Sequence, residues 1–209
     1  DLGVITGLAE SADGSVWVSS GASFSGVMRW REGQWKRYGA GEGLTAAHVH
    51  RLTVDAGGTL WALASAGSRE TARELSGAFR FVPDAGGGRF AQFALGGEGG
   101  DNRTYAMCRT GDGALWFATL QGILRYQAGL WRRWGVSEGL QSKQIFDVTP
   151  REGGGVYFTD RAHGLGEIDG AGRVSYQALG DAAGTNSAWV VRRDERGGLW
   201  VTTRGGLFY

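Results

Sequence analysis

A tight turn followed by an aromatic strand recurs along the chain, and this repeat constrains the fold more than any other feature. It reads DGSVWV at 13–18, GGTLWA at 57–62, DGALWF at 112–117, GGVYF at 154–158 and GGLWV at 197–201. The marker residues Trp17, Trp61, Trp116, Tyr157 and Trp200 are spaced 44, 55, 41 and 43 residues apart. Periods of this size belong to stacked supersecondary units, each too small to bury its own apolar faces.

Three further features keep register with the marker. A glycine-led strand follows it: GVMRW at 26–30, GAFRF at 77–81, GILRY at 122–126, GLGEI at 164–168 and GLFY at 206–209. An alternating strand comes next in four units, as QWKRY at 34–38, RFAQF at 89–93, LWRRW at 130–134 and RVSYQ at 173–177. Alternation of apolar and polar residues is the period of a half-buried strand. The tripeptide EGL then appears at 42–44 and 138–140, and a more continuously apolar segment leads into the next marker.

Each unit therefore supplies four short strands, and neighbouring sheets must stack face to face. Radial repetition satisfies this with only short edges, which predicts an all-β β-propeller of about five four-stranded blades. Its last blade lacks the outer strand, and a segment of a larger propeller is expected. The units run over 1–47, 48–102, 103–143, 144–186 and 187–209, within one propeller region, 1–209. The marker tryptophans are expected to pack as wedges between blades.

Composition agrees: 39 Gly against 2 Pro, with 9 Trp, suits short strands joined by turns that need positive φ. Lys plus Arg is 22 and Asp plus Glu is 21, with no basic run, so no nucleic-acid partner is expected. Cys108 is the single cysteine and cannot form an internal disulfide. No apolar run approaches bilayer length, so this segment is expected to make no membrane contact itself. No cofactor and no metal site are expected, since Asp13 and Asp112 lack the clustered oxygen ligands of a calcium loop.

The combination of a DG turn with LW, then GIL-x-RY, W-x-x-W and EGL resembles the two-component regulator propeller repeat. The third unit, DGALWFATLQGILRYQAGLWRRWGVSEGL at 112–140, matches best. The second and fourth units depart from it: Asp55 stands in for the turn aspartate with an extra residue before Gly57 and Gly58, and Tyr157 replaces Trp. The resemblance implies a periplasmic sensor domain that binds a small molecule, a carbohydrate among the candidates. A histidine kinase or diguanylate cyclase output would lie outside this chain, which is itself expected not to be an enzyme. A homodimer is a further possible partner state.

Eleven residues before each marker stand Thr6, His50, Tyr105, Phe146 and Trp189. They fall on the first strand of each unit, where aromatic faces suit stacking on a sugar or flat organic ligand. Inter-blade packing is the competing reading, because Leu8, Leu52, Met107, Val148 and Val191 two residues on would share their face. Loops entering these strands carry His48, Asn102, Arg103, Lys143, Gln144 and Asn186, polar residues placed to bind or simply to be solvated. The connection at 65–76, SAGSRETARELS, is longer than its counterparts and reads as a solvated or partner-facing loop.

Two alternatives accompany the sensor reading. One is an interaction scaffold. The other is an enzyme similar to the streptogramin lyases, propellers with related turns that use a histidine base beside magnesium. His48, His50 and His163 are available, with Glu10, Glu167 and Asp160 as companions. The repeat places His163 after a second strand, away from His48 and His50, which argues against one shared site.

Overall fold

The computed structural model describes residues 4–20, 25–45, 48–65, 76–96, 103–179 and 187–209. It divides into two compact units, Asp1–Thr104 and Tyr105–Tyr209. The first holds two four-stranded antiparallel sheets. Sheet 1 is β1 (Ile5–Glu10), β2 (Val16–Ser20), β3 (Gly26–Arg31) and β4 (Gln34–Tyr38). Sheet 2 is β5 (His48–Val54), β6 (Leu60–Ser65), β7 (Gly77–Val82) and β8 (Arg89–Phe93).

The second unit holds three sheets. Sheet 3 is β9 (Thr104–Arg109), β10 (Leu115–Thr119), β11 (Gly122–Gln127) and β12 (Leu130–Trp134), its first strand opening on the last residue of the first unit. Sheet 4 is β13 (Ile145–Pro150), β14 (Val156–Asp160), β15 (Gly164–Ile168) and β16 (Val174–Gln177). Sheet 5 has three strands, β17 (Ala188–Arg193), β18 (Leu199–Thr203) and β19 (Gly206–Phe208). Every sheet is a meander in sequence order, the arrangement expected from the repeat.

The cores lie between sheets. Trp17 meets Phe81 of sheet 2 edge-on at 4.8 Å, while Val27, Tyr38 and Leu44 share a buried cluster with Val49, Leu52, Phe79 and Phe90. Sheets 3 and 4 share a second cluster containing Trp116, Trp134, Leu140, Ile145 and Phe158. Sheets 4 and 5 share a smaller one around Leu165, Ala188, Val191 and Val201. Full burial of each such side chain stabilises by roughly 1.5–3 kcal/mol. Trp17 and Trp116 thus wedge between neighbouring sheets, whereas Trp200 is 40% exposed.

The marker indoles are anchored in two ways. Trp17 Nε1 donates to Ser11 Oγ at 2.9 Å, and Trp116 Nε1 to Thr110 Oγ1 at 3.2 Å. Those hydroxyls donate onward to Asp13 and Asp112, whose carboxylates also accept the N–H of Ser15 and Ala114. Trp61 and Trp200 instead donate directly to Asp55 Oδ2 at 2.8 Å and Asp194 Oδ2 at 3.2 Å. Asp55 is therefore not a displaced turn aspartate: it stands six residues before its tryptophan, where Ser11 and Thr110 stand, and accepts the indole itself.

The EGL tripeptide closes the connection between sheets. Glu42 Oε2 accepts the Gly39 N–H at 2.8 Å and Glu138 Oε2 the Gly135 N–H at 2.6 Å, each bracing a short 3-10 turn. Leu44 and Leu140 then drop into the two large cores. Most of the long connection, 66–75, lies outside the described residues.

Candidate functional site

In four of the five units the position eleven residues before the marker is a β-bulge. In β1, Ile5 pairs with Ser20 and Gly7 with Ser19, so Thr6 is the extra residue. The same break leaves His50 extra in β5, Phe146 in β13 and Trp189 in β17. A bulge re-aims one side chain and upsets the alternation beyond it. Val148 therefore keeps the face of Ile145 rather than that of Phe146, which corrects the expectation that residues two apart share a face here. Leu8 is also 68% exposed, unlike its buried counterparts Leu52, Met107, Val148 and Val191.

The bulge residues of the first unit make hydrogen bonds. Thr6 Oγ1 donates to the Val49 carbonyl, at 2.5 Å, and meets Ser19 Oγ at 3.1 Å. His50 Nε2 lies 3.0 Å from the Thr104 carbonyl, and because a carbonyl only accepts, that nitrogen carries the proton. Burial pushes the His50 pKa below its usual value, with the Thr104 hydrogen bond opposing and Arg51 adding to the fall.

In the second unit this position holds Tyr105, Phe146 and Trp189, all aromatic, and they touch in series. Ring centroids of Tyr105 and Phe146 are 5.1 Å apart, and those of Phe146 and Trp189 are 5.4 Å apart. Trp189 ends this ladder 41% exposed, with the Arg161 guanidinium over its ring at 5.6 Å. Arg161 belongs to the turn between β14 and β15. That turn lies at the end of sheet 4 where β13 begins, because Ile145 pairs with Asp160.

The same turn carries His163, whose Nδ1 lies 3.2 Å from Oδ2 of the fully buried Asp160. Of the three acidic companions the sequence offered for its histidines, the structure sets Asp160 beside His163; nothing in the repeat pattern pointed to Arg161.

Among the loop candidates, His48 opens β5, Arg103 precedes β9, and Lys143 and Gln144 precede β13; all four are exposed. Asn102 and Asn186 lie outside the described residues. The structure thus joins Tyr105, Phe146 and Trp189 in one ladder, gives His50 a separate backbone partner, and puts Lys143 and Gln144 at the Arg161 end of sheet 4. Among the described residues no three His, Cys, Asp or Glu side chains gather to hold a metal ion.

The chain matches no protein-family model and no curated protein. Among solved structures it superposes on the extracellular domain described for a hybrid two-component system, BT4673, from B. thetaiotaomicron. There the TM-score is 0.76 at 21% identity, over 97% of this chain and 29% of that one, so the chain spans under a third of that domain's length. Virginiamycin B lyase from Staphylococcus aureus gives a TM-score of 0.70 at 17% identity, covering 96% of this chain and 64% of the lyase. A gluconolactonase from Xanthomonas campestris gives 0.62 at 17% identity, covering 97% and 70%.

These matches overturn the expectation that the chain is not an enzyme. The same propeller topology carries lyase and gluconolactonase chemistry, so neither fold nor repeat excludes catalysis. The chain has a β-propeller fold, similar both to extracellular domains of two-component sensors and to propeller lyases and a gluconolactonase.

Proposed function

We propose that the chain binds a ring-bearing small molecule, a sugar or flat metabolite, on the open end of the aromatic ladder. One observation carries this reading: Tyr105, Phe146 and Trp189 touch in series and end on an exposed indole beside a cation. The ladder fixes the indole plane before any ligand arrives, which lowers the ordering cost of binding. Arg161 offers donors to a hydroxyl or carboxylate at the ring's edge while Trp189 offers its face. Similarity in fold to extracellular sensor domains supports placing this binding in the extracytoplasmic part of a signalling protein.

The test is a thermal-shift and tryptophan-fluorescence titration with free hexoses, hexuronic acids and p-nitrophenyl glycosides. At least one is expected to raise the unfolding midpoint, with binding weakened about tenfold by Trp189→Ala and less by Arg161→Ala. No response across the panel, or equal binding by the Trp189→Ala protein, would overturn the proposal.

A further inference from the structure

The aromatic core between sheets 3 and 4 is covered by cations. The indoles of Trp116 and Trp134 stack with ring centroids 5.1 Å apart, the Arg125 guanidinium lies 5.5 Å over the first, and that of Arg132 lies 4.3 Å over the second. Arg125 and Arg132 are cross-strand partners on β11 and β12, so their side chains leave the sheet on one face. Like charges directly opposite each other destabilise a sheet unless each is compensated. Arg125 is compensated, its Nη2 donating to Asp112 Oδ2 at 2.9 Å. For Arg132, no carbonyl or carboxylate among the described residues accepts any of its N–H groups.

The matching cation of sheet 1 has a partner. Lys36 stands opposite Arg29 as Arg132 stands opposite Arg125, and its Nζ donates to the Gly86 carbonyl, in a turn of sheet 2, at 2.8 Å. In sheets 2 and 4 the position holds Ala91 and Ser175, which carry no charge. The neighbouring sheets differ too. Phe81 of sheet 2 packs edge-on to Trp17 and Tyr38 at 4.8 and 5.6 Å, whereas the smaller Ile168 holds the same place in the glycine-led strand of sheet 4. Gly172 completes the seat of Arg132, because a Cβ there would lie 2.6 Å from Nη2.

Arg132 lines a cavity of about 480 Å³ together with Arg125, Arg151, Asp112 and Asp169 and the turn glycines Gly153, Gly154 and Gly170. That volume falls within the roughly 300–1,000 Å³ of small-ligand sites. Every other charge at the wall has its own partner: Asp112 has Arg125, Arg151 has Glu167 at 2.9 Å, and Asp169 has Arg173 at 2.8 Å. The charge left over is that of Arg132, so the cavity favours one negative charge. A guanidinium held flat on an indole presents a planar fork of N–H donors, the geometry that matches a carboxylate. Glycine walls leave peptide N–H and C=O groups within reach, where larger side chains would cover them.

We propose that this cavity binds a small hydroxylated carboxylic acid, with its carboxylate on the Arg132 fork and its hydroxyls against the glycine turns. The single charge of such a ligand offsets the one cation that the wall leaves without an ion partner. A dianionic phosphate would bring a second negative charge toward Asp112 and Asp169 with no cation remaining for it. The cavity shares no residue with the aromatic ladder, and the proposal does not rest on ligand binding at Trp189.

The experiment is titration calorimetry of the 209-residue chain at fixed ionic strength with D-galactonate, galactitol and glucitol 6-phosphate, open-chain probes that have no ring to stack on Trp189. D-galactonate is expected to bind, and the uncharged galactitol and the phosphate each to bind about tenfold more weakly or not at all. Arg132→Gln should weaken galactonate binding about tenfold, and Arg132→Lys, which keeps the charge without the fork, by less. Both substitutions are at an exposed side chain and should leave the unfolding midpoint near that of the parent, while Trp189→Ala should leave galactonate binding unchanged. No heat of binding up to about 10 mM galactonate, galactitol binding as tight as galactonate, or Arg132→Gln binding within about twofold of the parent would overturn the site. Tighter binding of the phosphate would overturn the carboxylate assignment, and loss of binding in Trp189→Ala would move the ligand to the ladder.

Discussion

The turn before each marker shows one requirement met by two chemistries. A marker indole N–H takes an acceptor from the residue six positions earlier, Ser11, Thr110 or Asp55 for the buried tryptophans and Asp194 for the exposed Trp200. With a hydroxyl, a second residue must take up the hydroxyl proton, and Asp13 and Asp112 do so. With an aspartate, the acceptor is complete in one residue and the DG aspartate disappears, which explains why the second and fifth turns read GG. In the fourth unit the pair is replaced altogether, Arg151 lying over the Tyr157 ring at 6.0 Å. Thr110→Val keeps the volume of the side chain and removes every hydrogen bond of its hydroxyl, to Asp112, to the Ala114 carbonyl and from Trp116. It should destabilise by about 1–3 kcal/mol, because Trp116 Nε1 is left without its acceptor in a buried site. Chemical denaturation checks this; a loss below about 0.5 kcal/mol would mean that the indole does not depend on Thr110.

At the scale of elements, strands and turns were legible and bulges were not. The alternation in QWKRY and LWRRW gave β4 and β12 at their observed bounds or nearly so, because alternation reports one buried face directly. A bulge adds a residue without changing composition, so Phe146 and Trp189 read simply as apolar members of a strand, and their partners two residues on were assigned to the wrong face. The ladder residues were legible by position, and His163 with Asp160 as one of three acidic companions was legible by residue type; Arg161 was not, since its meaning lies in a contact that no spacing announces. EGL was visible as a motif, and its role follows from its geometry: Glu braces the turn, Gly turns the chain at positive φ, and Leu enters the core. Gly43 has φ of 87° and a Cβ there would sit 2.0 Å from the Phe90 carbonyl oxygen, whereas a Cβ at Gly41 meets nothing within 4 Å. Gly43→Ala should therefore destabilise by more than 1 kcal/mol and Gly41→Ala by only a few tenths. Equal thermal unfolding midpoints for the two variants would contradict this account of the motif.

At the largest scale, each unit coheres through packing between its own sheets, so a buried group whose charge depends on pH acts on the stability of its unit. His50 is such a group in the first unit, bonded to the Thr104 carbonyl while its pKa is held below 6.5 by burial. The unfolded chain then binds a proton that the fold resists, so this contribution is complete above pH 6.5 and declines as pH falls below it. The turn carboxylates act lower. Ser11 holds Asp13 below 3.8, the N–H groups of Gly88 and Gly86 do so for Asp84, and Arg173 does so for Asp169. Their contribution is present above 3.8 and is lost as pH falls from there toward their lowered folded values. Denaturant midpoints should thus stay level from about pH 7 up toward pH 10, sag as pH falls below 6.5, and fall again as pH drops below 3.8. His50→Gln keeps a donor for Thr104 and removes the titration, so it should flatten the first decline and leave the second. An unchanged first decline in that variant would move the origin of the sag to another group.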